Sequence, residues 1–183
     1  TGQNMKAPLE SLETQVKSGR DYEFPPLHLW HPPLSGDISI RIDAQGDWYH
    51  DGSKIERQSL VNLFASILRR EEDSQYYLVT PTEKWRIEVA LHPLFIIDFD
   101  VQMVEGVEYL KATLNTGREV MVGEEFPLFL DPTVGDIAAM TLAHGLTALC
   151  ARSAWYRLVG LATAVNGAEV VTSGTYTFRL GAG

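Results

Sequence analysis

Between Tyr76 and Ile87 the chain reads Tyr-Tyr-Leu-Val-Thr-Pro-Thr-Glu-Lys-Trp-Arg-Ile, two alternating runs that meet at a Thr80-Pro81 corner. Trp85, Ile87 and Val89 share one face of the second run and send Lys84, Arg86 and Glu88 to the other. The pattern predicts a strand buried on one side, with Trp85 in the core and the charges solvated. A sharper alternative puts Glu83 and Lys84 at the rim of a pocket walled by Trp85.

The same alternation recurs upstream. Ile38, Ile40 and Ile42 alternate with polar residues and predict a strand that turns at Gly46. Trp48-Tyr49-His50 and Lys54-Ile55-Glu56 flank an Asp51-Gly52 turn, so three short antiparallel strands are expected. Leu60, Leu63, Phe64, Ile67 and Leu68 then recur at helical spacing, and Arg69 and Arg70 would complement the dipole at that helix's C-terminus. Ahead of these, Pro8, Leu9, Leu12 and Val16 predict a thin amphipathic helix ending at Gly19, an appendage that adds little core. The four prolines between Phe24 and Gly36 predict an extended arm laid across the domain and anchored by Leu27, Leu29 and Trp30.

After His92-Pro93 a second series begins. Phe95, Ile97, Phe99, Val101 and Met103 alternate against Asp98, Asp100 and Gln102. Gly106 and Asn115-Thr116-Gly117 then turn the chain into Val107 to Leu114 and Glu119 to Val122, a meander. Asp131-Pro132 and Gly135 mark a loop, and Ile137 to Ala143 is a strand or the start of a helix. From Gly145 the pattern is helical through Leu149, Cys150, Trp155 and Leu158, with Arg152 and Ser153 placed to bend it. Asn166-Gly167 closes that region, and Tyr176, Phe178 and Leu180 alternate in a last strand. Both halves therefore place a helix after a set of strands. The expected fold is α+β: an N-terminal helix and linker over residues 1–23, then two sequential units of antiparallel strands with a packed helix, at residues 24–92 and 93–183.

Composition narrows the chemistry. The 183 residues are 45% hydrophobic and 21% charged, an ordinary globular balance. The net charge of -9 argues against bulk binding to nucleic acid. Cys150 is the only cysteine, so no intrachain disulfide forms and a reducing cytoplasm is the expected setting. The most apolar run, Ile137 to Ala151, is too short to span a bilayer, and no membrane association is expected. His28 and His31 lack a third ligand, so no metal is expected, and nothing points to a cofactor. The motifs of phosphate loops, nucleophile elbows and zinc helices are missing, which favours a non-catalytic reading. An enzyme reading would rest on Glu83 or Asp98 as acid or base. The remaining indoles and cations suit stacking and bidentate contacts with a flat or anionic ligand, and equally suit a protein interface.

The runs 26–30 (Pro-Leu-His-Leu-Trp), 48–52 (Trp-Tyr-His-Asp-Gly), 63–71 (Leu-Phe-Ala-Ser-Ile-Leu-Arg-Arg-Glu) and 76–87 resemble the bacterial domain-of-unknown-function family 1285. The likeness is dense from Pro26 to Val89. In the second half it is carried by Gly145 to Leu149, Arg152 and Tyr156. The resemblance implies a cytoplasmic protein of duplicated α+β units, the second superficially similar to pleckstrin-homology folds. It also implies a ligand site at the junction of the halves and a regulatory role. On that basis a small anionic or nucleotide-like ligand is expected there, with Lys84, Arg69 and Arg152 as its cations, Trp48 and Trp155 as stacking surfaces and Glu83 at the rim. A signalling protein partner is the alternative use of the same groups.

Overall fold

The computed structural model describes Leu9, residues 12–14 and residues 25–182. Most of the expected N-terminal helix lies outside these. Leu9 and residues 12–14 are helical, Leu12 is fully buried and Glu13 accepts a 2.8 Å hydrogen bond from Arg57, so this segment contributes to the core after all. The chain divides into two compact units, Thr1–Pro93 and Leu94–Gly183.

In the first unit the alternation at Ile38, Ile40 and Ile42 forms β1 (Gly36–Ile42) with those three side chains buried. β2 (Trp48–His50) and β3 (Ser53–Lys54) pair antiparallel across Asp51 and Gly52, both at positive φ, the backbone a tight two-residue turn demands. The helix α1 (Gln58–Ala65) buries Val61 and Phe64. β4 (Leu68–Arg70), β5 (Tyr76–Val79) and β6 (Lys84–Val89) complete a sheet of order β3-β2-β1-β6-β5-β4. Two expectations change here. Leu68 to Arg70 leaves the helix to pair with Tyr76 to Leu78, so Arg69 and Arg70 are strand residues and do not serve a helix dipole. The sheet is also mixed, because β1 runs parallel to β6. The expected Trp85 core position holds only in part, since the indole is half-buried.

The second unit repeats this plan. β7 (Leu94–Val104), β8 (Val107–Leu114) and β9 (Glu119–Met121) form one meander, and β10 (Leu128–Asp131), β11 (Ile137–Thr141) and β12 (Thr147–Cys150) another. The order β10-β11-β12-β7-β8-β9 joins them through the parallel pair β12 and β7. Each unit thus has two three-stranded meanders fused where the first strand of one lies parallel to the last of the other. The helix differs. α1 connects the two meanders of the first unit, whereas α2 (Arg152–Leu161) follows the second meander of the second unit. β13 (Thr163–Val165), β14 (Ala168–Ser173) and β15 (Tyr176–Ala182) form a third, antiparallel sheet.

Here the reading of Thr147 to Cys150 as helix is corrected. These residues pair on both sides with Ala139 to Thr141 and Leu94 to Ile96, and the helix starts only at Arg152. Leu128 to Asp131 is a strand that the hydrophobic pattern did not predict, and Asn166-Gly167, expected to close a helical region, is a hairpin turn between β13 and β14. A register shift between Ile96 and Asp98 also changes the phase of β7: Phe95, Ile96 and Phe99 are buried while Ile97, Val101 and Met103 are exposed.

Candidate functional site

The mixed sheet of the first unit lines up four side chains across four strands. Arg69 on β4 is the register partner of Tyr77 on β5, Tyr77 of Arg86 on β6, and Arg86 of Asp37 on β1. Arg69 is buried and uses its whole guanidinium. Nη1 donates to the carbonyls of Leu27 (3.0 Å) and Trp30 (2.7 Å), and Nε and Nη2 donate to Glu71 Oε2 at 3.1 and 2.6 Å. Lys84 Nζ donates to the other Glu71 oxygen at 2.9 Å and lies 4.6 Å from the Tyr77 ring centroid. Glu71, which the sequence did not single out, therefore bridges the two cations that it did. Burial works to raise the Glu71 pKa, but the hydrogen bonds and charges of Lys84 and Arg69 prevail and hold it below its ordinary value.

This cluster fixes the proline-rich arm. The arm contains one turn of 3-10 helix, Leu27–Leu29, with Leu27 buried and Leu29 exposed, so the expected three anchors reduce to Leu27, the half-buried Trp30 and the carbonyls bound by Arg69. His31 Nε2 lies 2.9 Å from the His28 carbonyl. Among the described residues no three His, Cys, Asp or Glu side chains gather as metal ligands would.

The other expected residues are dispersed. Trp48 is 2% exposed, a core side chain with no free face for stacking. Glu83 is half-buried at the Thr80-Pro81 corner, where its backbone N–H donates to Thr80 Oγ1 at 3.0 Å and its carbonyl accepts from the Thr80 N–H at 2.9 Å. Arg152 and Trp155 belong to the second unit. Arg152 is exposed at the first position of α2, which has no side-chain cap, and Trp155 is half-buried one turn on.

The first unit carries a further feature that the sequence reading passed over. β1 and β6 pair at Asp37 with Arg86 and again at Arg41 with Glu88, so β1 spends three residues where β6 spends one. An open groove of about 680 Å³ lies over this bulge, lined among others by Asp37, Ser39, Arg41, Tyr49, Arg86 and Glu88. Arg86 donates to Asp37 at 3.1 Å while its Nε is buried with no hydrogen-bond partner. The Arg41 guanidinium lies 3.9 Å above the ring centroid of Tyr49, its register partner on β2. Arg41 makes no ion pair among the described residues. Arg41 is exposed, with Glu88 as its register partner on β6, and a guanidinium stacked on a ring can still donate from its planar edge to an oxyanion.

Models of the two halves of one family match nearly the whole of the described chain: "Domain of unknown function (DUF1285), N-terminal domain" over residues 25–90, and "Protein of unknown function (DUF1285), C-terminal domain" over residues 93–180. The chain belongs to the DUF1285 family. A solved DUF1285 family protein from Silicibacter pomeroyi DSS-3 is 36% identical, with 88% of this chain and 90% of that chain covered at a TM-score of 0.79. Another, from Shewanella baltica OS155, is 29% identical, with 67% of this chain and 91% of that one covered at a TM-score of 0.54. No curated protein matches the chain. The boundary between the two DUF1285 matches coincides with the division between the units, and both relatives are bacterial proteins.

Proposed function

We propose that this DUF1285 protein is a non-catalytic binding module with a regulatory role, and that a small anionic or nucleotide-like ligand occupies the groove over β1 and β6. The observation that carries this reading is Arg41, stacked on Tyr49 at the groove wall and within ion-pair distance of no carboxylate among the described residues, although Asp37, Asp43 and Glu88 also line the groove. Arg69 and Lys84 serve less well, because Glu71 already accepts from both. Their part in this reading is to hold the arm beside the sheet. Arg152 and Trp155 remain an exposed cation and a partly open indole on the second unit, whose strands with one helix packed against β7 suit the pleckstrin-homology comparison. A reducing cytoplasm suits Cys150, a buried free thiol that burial pushes up to about 12. No helix among the described residues is long and apolar enough to cross a membrane.

The test is calorimetry with inorganic phosphate, pyrophosphate and a nucleotide panel. One of these is expected to bind, to bind more weakly as salt is raised, and to lose roughly tenfold or more in affinity on Arg41→Ala, the size of a lost charge-assisted contact. A bound anion whose affinity is untouched by Arg41→Ala would remove the groove as its site.

A further inference from the structure

The long hairpin of β7 and β8 has two outer edges: β8 is bonded along one, while on the other β7 is flanked by β12 as far as Ile96 and by α2, whose Arg157 reaches Phe99. On the β8 side the Leu110 N–H donates to Ser173 Oγ at 2.9 Å, the Leu110 carbonyl accepts from Val122 at 2.8 Å and the Glu108 carbonyl accepts from Gly174 at 2.8 Å. These groups point away from β7. Leu110 and Glu108 are the register partners of Val101 and Met103, so both are non-hydrogen-bonded pairs, and the N–H and C=O groups of Val101 and Met103 point outward on the opposite side. Phe99 keeps the same phase, since its outward carbonyl accepts from Arg157 Nε at 3.3 Å. β12 pairs with β7 only as far as Ile96. Beyond it, Val101 and Met103 have no neighbouring strand on that edge among the described residues, and their side chains are 46% and 58% exposed. An unpaired apolar edge of this kind is a template for another strand.

We propose that this edge pairs antiparallel with the same edge of a second copy of the chain, about a two-fold axis through Gln102. The register follows from the outward groups. Val101 lies opposite the partner's Met103 and Met103 opposite the partner's Val101, and the two pairs exchange four N–H···O bonds while covering the exposed apolar side chains. Gln102 then meets its own image. An amide both donates and accepts and so suits a two-fold axis, where a charged residue would repel itself. One step further along the ladder, Arg157, which reaches the Phe99 carbonyl and lies 3.9 Å from Asp100 of its own chain, faces the partner's Glu105 as a second carboxylate, and the reciprocal contact repeats on the other side of the axis. A foreign strand shares the backbone complementarity but not this side-chain matching.

Sedimentation equilibrium of the full chain over a wide concentration range decides the matter. A concentration-dependent mass approaching twice 20.4 kDa is expected. Gln102→Lys places like charges on the axis and is expected to give a monomer with unchanged circular dichroism. Glu105→Arg, which sets a like charge against the partner's Arg157 and leaves Arg157 its contacts with Phe99 and Asp100, is expected to weaken the dimer as well. A chain that stays monomeric at every concentration overturns the proposal, as does a dimer unmoved by Gln102→Lys or by Glu105→Arg.

Discussion

Glu71 accepts hydrogen bonds from Lys84 on one carboxylate oxygen and from Arg69 on the other, and Arg69 in turn holds two carbonyls of the proline-rich arm. Its folded-state pKa is lowered, so its contribution to stability is fully present above its ordinary value of 4.5 and is lost as pH falls through the lowered one. Glu71→Gln is expected to cost about 1–3 kcal/mol near neutral pH, by leaving a buried guanidinium short of its partner. That deficit should shrink in acid, where the parent carboxylate is itself protonated. Urea unfolding of both proteins at neutral and acid pH measures it. The two indoles of this unit separate by burial. Trp48→Ala should cost about 3–5 kcal/mol, the loss expected of a fully buried aromatic, whereas the half-buried Trp85 should cost clearly less. Thermal midpoints of the pair give that ordering.

At the scale of elements, the legible strands are those with one wet face. β1, β6 and β8 announce themselves because burial on one side favours a period of two, whereas β7 is legible from its alternation although three of its five alternating apolar side chains, Ile97, Val101 and Met103, are exposed. β4 and β12 are short segments continuous with helical patterns, and their strand state comes from neighbours far along the chain that a local reading does not contain. The parallel pairs of β1 with β6 and β7 with β12 are hidden for the same reason. The candidate site suffered similarly. Arg41 looks like a solvated charge on a clean strand until β2 brings Tyr49 under it, and Glu71 looks like a loop residue until β6 returns with Lys84. One turn also depends on a close approach across elements. Gly174 between β14 and β15 has φ +59, and a Cβ there would lie 2.7 Å from a Tyr109 ring carbon on β8. Gly174→Ala is expected to cost about 1–3 kcal/mol through strain and displacement of that ring. A denaturant midpoint that does not move would show that Tyr109 yields freely.

For the whole chain, the recurrence of one strand order in both units, with the helix moved from between the meanders to after them, makes duplication visible in topology where residue patterns alone suggested only a shared succession of strands and helix. Each unit closes its own sheet, and the fully buried side chains of the first, among them Ile40, Ile42, Trp48, Phe64 and Leu78, all precede Pro93. A fragment ending at Pro93 is therefore expected to fold by itself and to unfold cooperatively in urea, since a domain of that size can bury enough apolar surface to be marginally stable. Leu12 sharpens this expectation. Its side chain is fully buried, so a fragment beginning at Phe24 loses a complete core residue and should be less stable than one beginning at Thr1 by about 2–5 kcal/mol, the range for deleting a buried leucine. Comparing the urea midpoints of the two fragments checks the point. Equal midpoints would mean that the cavity left by Leu12 closes without cost and that the N-terminal helix is the dispensable appendage its thin apolar stripe suggests.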